Sequence, residues 1–405
     1  NERTHRMSSA MRQTPVMFNP LSDGFMEDPH PHYAEVRRHA PVHEHPGGFW
    51  MVSRHEDVEA LLRAEHSVDK RNAQGSGGPA RAPRLKGLAL IDQDPPHHTR
   101  LRKLVSQAFT PRAMSGIELV VHDLVDKALD DLGLAGGGDL VETLAFPLPF
   151  AVITRILGMP EIDTARLREL TGLLIRLGEP GGGSRAKEDI EAADAEMVEL
   201  VSDAISRKHR DRGDDLLTAL IDAEDDGDRL SHDELVAQVA MLYVAGYETT
   251  VNLLSGGILA LLRNPDQLEL LRATPDLDRN AIEELLRYEP PVHLARRITL
   301  HPHRVGEHEI PAGSVVLASL AGANRDEEFW GPDAGQLRLD RENARRHVSF
   351  GGGAHYCIGG MLARIQGRIA VGGLVRRFPG LEQAGEVRWN GLLSLRGATH
   401  LPVHV

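Results

Sequence analysis

The chain holds a single cysteine, Cys357, in the run Phe350-Gly351-Gly352-Gly353-Ala354-His355-Tyr356-Cys357-Ile358-Gly359-Gly360. A helical pattern follows through Met361, Leu362, Ile365 and Ile369, which places the sulfur on a tight loop entering a helix N-terminus. There the helix dipole and free N–H groups favour the thiolate, the form that binds metals. A lone cysteine is more often a small buried hydrophobe, so the thiol alone does not decide. Its neighbours do: by chance, Phe-x-x-Gly-x-x-x-Cys-x-Gly would occur roughly 2 × 10⁻⁴ times in a chain of this composition.

Three further groups could do chemistry. Ala245-Gly246-Tyr247-Glu248-Thr249-Thr250 sits inside a long apolar stretch. A carboxylate inside a core helix is seldom there for packing, and burial raises a carboxyl pKa toward values useful for carrying protons. Thr249 adds a hydroxyl that can donate or accept; the plainer alternative has it bonded to the carbonyl four residues back while Glu248 pairs with a cation. Glu284 and Arg287 share a helix face at i, i+3, a spacing that by itself fits an ordinary surface pair. In Asp94-Pro95-Pro96-His97-His98-Thr99-Arg100-Leu101-Arg102, His98 and Arg102 are i, i+4 neighbours, and a planar guanidinium suits a carboxylate. A solvated basic face is the rival reading for Arg100, Arg102 and Lys103. The His30/His32, His43/His45 and His301/His303 pairs complete no ligand set.

The elements that must carry these groups are mostly helical. Leu235 to Leu262 would span roughly 40 Å as a helix, long enough for a bilayer, but Gln238, Glu248 and Asn252 interrupt it, and Ser231-His232-Asp233-Glu234 has the spacing of a water-facing capping box. A helix crossing the centre of a large protein is the better reading. Asp94 is expected to cap a helix running from Pro95 to Phe109. Strand signals lie at Phe49–Val52, on both sides of Pro311-Ala312-Gly313, and along Val387–Val405. Gly75–Gly78, Gly136–Gly138 and Gly181–Gly183 read as mobile loops. With 405 residues, 41% of them apolar, the chain can bury a large core without staples. One cysteine excludes a disulfide scaffold and zinc clusters. A net charge of −13 and 4% aromatic residues argue against nucleic acid. No membrane association and a cytoplasmic, reducing location are expected.

The cysteine loop, the acid–hydroxyl pair, Glu-x-x-Arg and the His98–Arg102 segment, in that arrangement, resemble the cytochrome P450 family. The resemblance implies one mainly α (α+β) domain over 19–405 behind an N-terminal extension, 1–18, with small sheets at the edges and the long helix crossing a haem. It implies haem b with Cys357 as the iron ligand, in a loop that includes Phe350, Gly351 and Gly359. Ala245 and Gly246 lie against the cofactor, Gly246 leaving room for dioxygen. His98, Arg102, Arg297 and His355 bind its propionates, and Glu248 with Thr249 relays protons. Glu284 and Arg287 lock the region beneath, with a third partner left unassigned among Gln336 to Arg341. Substrate contacts are expected in Arg71–Leu90, around Leu167–Arg185, at Met241, Val244, Val292 and Leu294, and at Leu392 and Leu393. The implied reaction inserts one oxygen atom from O2 into a hydrophobic organic substrate. Electrons come from a separate ferredoxin or flavodoxin docked on a basic face of Arg100, Lys103, Arg345, Arg346 and Arg364. A peroxide-driven peroxygenase and a non-catalytic haem sensor are the rival readings.

Overall fold

The computed structural model describes residues 16–74, 87–109, 116–159, 164–176, 184–225 and 227–405. Helices dominate and the sheets are small. The elements that bear on the site are, in chain order, α1 (His30–His39), β1 (Val42–His45), β2 (Phe49–Val52), α2 (His97–Ala108), β3 (Gly137–Asp139), α3 (Pro147–Leu157), α4 (Thr164–Arg176), α5 (His232–Leu262), α6 (Asp278–Tyr288), β4 (Leu294–Ile298), β5 (Val315–Ser319), α7 (Gly360–Arg377) and β6 (Pro402–His404).

The long apolar stretch is one helix, α5, of 31 residues. Its start is the expected capping box: Glu234 N–H donates to Ser231 Oγ at 3.2 Å, and Ser231 N–H donates to the Glu234 carboxylate at 2.9 Å. Such a cap contributes about 1 kcal/mol. The helix runs through the main core, packed against α3, α6 and α7. Among the described residues no helix is long and apolar enough to cross a membrane. Buried Gln238 ties it to the neighbouring segment, accepting from Leu90 N–H at 2.8 Å and donating to Leu88 O at 2.7 Å.

A four-stranded sheet runs β1-β2-β5-β4. Its outer pairs are antiparallel and β2–β5 is parallel, with Trp50 opposite Val316. Along the outer side of β4, Ser67 and Ile298 exchange backbone hydrogen bonds at 2.8 Å, which brings the 67–74 segment beside Arg297.

Several local expectations change. Gly136–Gly138 is not a loop: Gly137 and Gly138 belong to β3, which pairs with β6 in register Gly137–His404. Asp94 does not cap α2. Pro96 precedes that helix without a side-chain cap, and the Asp94 carboxylate instead accepts from Ser67 Oγ, Val68 N–H and Asn72 Nδ2. Phe18, assigned to the extension, is buried with Phe25 and Tyr33. The Gly75–Gly78 and Gly181–Gly183 stretches lie outside the described residues.

Candidate active site

The cysteine loop is held from both sides by α6. Upstream of Cys357, Ser349 donates to Leu286 O at 2.6 Å and His347 bonds Glu283 at 3.1 Å; downstream, Arg364 on α7 donates to the same Glu283 at 2.7 and 3.1 Å. Burial would raise the Glu283 carboxyl, but the bonds from His347 and Arg364 outweigh it and hold it down to about 2. Within the loop, Cys357 N–H donates to Phe350 O at 2.9 Å. Gly353 adopts φ +62°, and a Cβ there would sit 2.8 Å from Leu62 O, so only glycine fits.

Beneath it lies Glu-x-x-Arg. Arg287 and Glu284 are fully buried. Arg287 Nε and Nη2 donate to the Glu284 carboxylate at 2.7 Å each. Its remaining N–H groups go to the carbonyls of Asn324, Ala334 and Gln336 at 2.7–2.8 Å, so all five donors are satisfied. The third partner is Arg341, whose Nε donates to Glu284 at 3.2 Å, with Arg338 N–H beside it at 2.9 Å.

The accessible positions of α5 form a pattern. From Leu235 to Leu261 every residue is buried except Met241, Val244, Ala245, Gly246, Glu248 and Thr249. All but Gly246 recur at i, i+3/i+4 and i+7/i+8, one helix face. Thr249 Oγ1 donates to Ala245 O at 3.0 Å, four residues back, leaving its lone pairs free to accept. Burial raises the Glu248 carboxyl above its ordinary range; the Tyr247 hydroxyl and Arg168 pull the other way and do not cancel it. Glu248 also borders a cavity of about 270 Å³ with Arg168, Asn252, Asn390 and Leu392. Arg168 is itself paired with Glu142 at 2.8 Å, so it is not a dedicated counter-ion for Glu248. At Gly246 a Cβ would lie 2.9 Å from Ile153 Cδ1 of α3, so the glycine also lets two helices pack.

Facing groups of positive character gather near Cys357. The His98 and His355 rings lie 4.1 Å apart. Burial, then His98, Arg297 and Arg102, push His355 down to about 3. Burial and Arg296 lower Arg297 to about 10. His98 is buried with its Nε2 unpartnered. Among the described residues no carboxylate forms an ion pair with Arg102 or Arg297, although the Arg102 charge reaches Cys357. Burial lowers all four, and the Arg102 and Arg297 charges add to it at the histidines, so the group suits an anion. The thiol differs from expectation. Burial raises its pKa, and N–H bonds from Gly359 and Gly360 with the Arg102 and Arg364 charges do not overcome that. The sulfur does accept from the free N–H groups at the start of α7, as expected, but burial outweighs them. It is nevertheless accessible. An accessible sulfur, two arginines without a carboxylate ion pair and two imidazoles that can donate fit haem, whose iron takes a thiolate and whose propionates are anionic.

The comparisons decide the family. The cytochrome P450 family model matches residues 183–274 and 276–389. Cytochrome P450 107B1 of Saccharopolyspora erythraea is 41% identical over 402 residues, 95% of this chain and 96% of that protein. The chain belongs to the cytochrome P450 family. Cytochrome P450 monooxygenase PikC of Streptomyces venezuelae is 40% identical, covering 95% of this chain and 92% of its own. The crystal structure of P450BioI, in complex with a hexadec-9Z-enoic acid ligated acyl carrier protein, superposes with a TM-score of 0.88 at 29% identity, covering 94% of this chain and 98% of that one. The fold is therefore the P450 fold, and the activity class is that of P450 oxidoreductases.

Within this P450 the remaining expectations divide. Leu392 reaches the Glu248 cavity, and Val292 pairs with Leu395 across a backbone bridge. Leu294 does not join them. It is buried in the cluster of Phe18, Tyr33 and Met51, against which Leu393 also packs. The basic face is also rearranged: Arg100 pairs with Glu234 and Asp228, and Arg364 with Glu283. Sequence reasoning missed Glu283, His347, Asn324 and Gln238. Their partners lie far along the chain, so no local spacing marks them.

Proposed function

We propose that this P450 inserts one atom of O2 into a C–H or C=C bond of a hydrophobic organic molecule, in the cytoplasm, with electrons from a separate ferredoxin or flavodoxin. The observation that carries this is the accessible stripe of α5: the residues open on an otherwise buried helix include the acid, Glu248, and the hydroxyl, Thr249. Cys357 would hold haem b from one side, and His98, Arg102, Arg297 and His355 its propionates. When bound, the haem supplies the oxygen-activating redox chemistry. The chain's own part is to keep protons available. Glu248, raised by burial, holds a proton closer to neutrality than a surface carboxyl does, and Thr249 can accept one proton while donating another. A mostly apolar stripe orients a hydrophobic substrate and excludes water. A peroxide-driven reaction would not need this acid–hydroxyl pair.

Glu248→Gln and Thr249→Ala are each expected to lower product formation with a surrogate ferredoxin system by about 10²-fold, the scale of one general acid–base group. Peroxide-driven turnover should change far less. Equal losses in both assays would count against the relay. Stability should move the other way. A folded carboxyl pKa raised by burial contributes stability that is present below the ordinary carboxyl range and lost as pH rises through the raised value. Glu248→Gln should therefore melt higher than wild type at pH 8, with the gap closing toward pH 4.

The electron donor would dock on a face that differs in part from the one read from sequence. Arg279, Arg345, Arg364 and Arg368 line a cleft of about 360 Å³ with Glu118 and Glu283, beside exposed Met361 on the helix that follows Cys357. Four arginines against two carboxylates suit an acidic partner, with an apolar contact at the centre. Reversing Arg279 and Arg345 together should slow reduction by the donor about tenfold or more at low salt. An unchanged rate at low salt would remove this face from consideration.

A further inference from the structure

Glu289 closes α6, and four segments distant in sequence converge on it. His30 Nε2, at the start of α1, lies 2.9 Å from Oε2; Arg396 Nε donates to Oε1 at 3.2 Å; Arg325 Nη2 is 3.7 Å from Oε2. On α5 the fourth segment yields space: a Cβ at Gly256 would sit 3.1 Å from the Glu289 Cγ. Arg396 spends its other donors on the N-terminal segment, bonding Met26 O at 2.6 Å and Glu27 O at 2.8 Å, and its guanidinium lies 3.5 Å over the Trp389 ring.

The loop this carboxylate holds is the one that presents Leu392. Asn390 braces its base, with N–H to Gly397 O at 3.0 Å and Nδ2 to Leu395 O at 2.9 Å. Its far side is stitched to the 291–293 segment by Arg396 N–H to Pro291 O at 3.0 Å and His293 N–H to Ser394 O at 2.8 Å. Leu393 is drawn into the Phe18 and Tyr33 cluster, and Leu392 is left facing the Glu248 cavity. A shift of one residue would exchange the two. A buried or half-buried carboxylate with several cationic partners tolerates little displacement, because breaking one contact leaves a charge poorly compensated.

We propose that Glu289 and Arg396 are positioning residues that set the shape of the substrate pocket, by holding the 390–397 loop in the register that points Leu392 inward. The proposal rests on the P450 reading for the statement that this cavity receives substrate. It predicts a change in selectivity, while ligation through Cys357 stays intact.

Two probes separate pocket shape from ligation. Imidazole is small and needs only the haem, whereas 4-phenylimidazole also needs the apolar wall. In the haem-loaded protein, Glu289→Gln and Arg396→Lys are each expected to weaken 4-phenylimidazole relative to imidazole by about tenfold, the low end for losing one apolar wall contact. Arg396→Lys keeps the charge and loses the forked bonds, so the test survives if Glu289→Gln folds poorly. Asp278→Asn, which breaks the remote ion pair to Arg376 (2.7 Å), is the control: it should lower the melting temperature and leave the ratio unchanged. Backbone hydrogen exchange over 390–397 should quicken in the two loop variants and not in the control. A ratio within twofold of wild type in both, or unchanged exchange, overturns the proposal. Absence of any imidazole difference spectrum in wild type would overturn the haem reading instead, and the exchange measurement would still decide the loop.

Discussion

Replacing Cys357 with alanine is expected to abolish monooxygenase turnover and to remove the red-shifted thiolate band of the ferrous-CO spectrum. Cys357 is the one sulfur a cysteine can supply in this chain, so no neighbouring thiolate can substitute for it. The effect on the polypeptide itself should be small. The side chain is accessible, and substitutions away from the core usually change stability by no more than about 0.5 kcal/mol. The haem-free variant should therefore melt within a degree or two of the haem-free wild type, while the loaded protein loses its spectrum. A thiolate-type band that survives in Cys357→Ala would sink the ligand assignment. A collapse of the haem-free protein would instead make Cys357 a packing residue.

The second large effect concerns stability. Glu284→Gln leaves Arg287 fully buried with its charge uncompensated, and Arg287→Met leaves Glu284 with Arg341 alone. Breaking a buried pair by removing one partner costs about 3–5 kcal/mol, a large share of the 5–15 kcal/mol that holds a typical protein folded. Each single variant should lose that much in urea unfolding and accumulate poorly. The double variant should lose less than the sum, because no lone charge remains. Arg341→Met, which takes one bond of 3.2 Å, should cost less than either single change at the central pair. Losses below about 1 kcal/mol for both central variants would show that the triad contributes little to holding the 324–349 segment under the cysteine loop. The functional consequence follows from connectivity: Arg287 bonds Asn324 O, and Asn324 in turn accepts from Val348 N–H at 2.9 Å and donates to Ser349 Oγ at 2.7 Å. Loosening the triad thus loosens the loop eight residues ahead of the sulfur.

The sequence alone determined the features whose meaning is local. The thiol with its glycines, the acid and hydroxyl on consecutive residues, and the apolar 31-residue helix with its capping box all depend on spacing within a few turns. A helix or loop reproduces that spacing wherever it is placed, so the family and its chemistry were legible there. Partner choice was not, because it depends on which distant segments the fold brings together. Glu284 meets Arg341 57 residues on, and Glu283 takes Arg364 81 residues on. Glu289 gathers a histidine from one end of the chain and an arginine from the other. Space is decided the same way. Gly246 is small because Ile153 needs the room, and Leu392 faces the cavity while Leu393 fills the core. The cysteine changed most. Its position was clear from the sequence, but the protein around it raises rather than lowers its pKa, because burial depends on the density of atoms packed around the sulfur and the helix dipole only on the residues beside it.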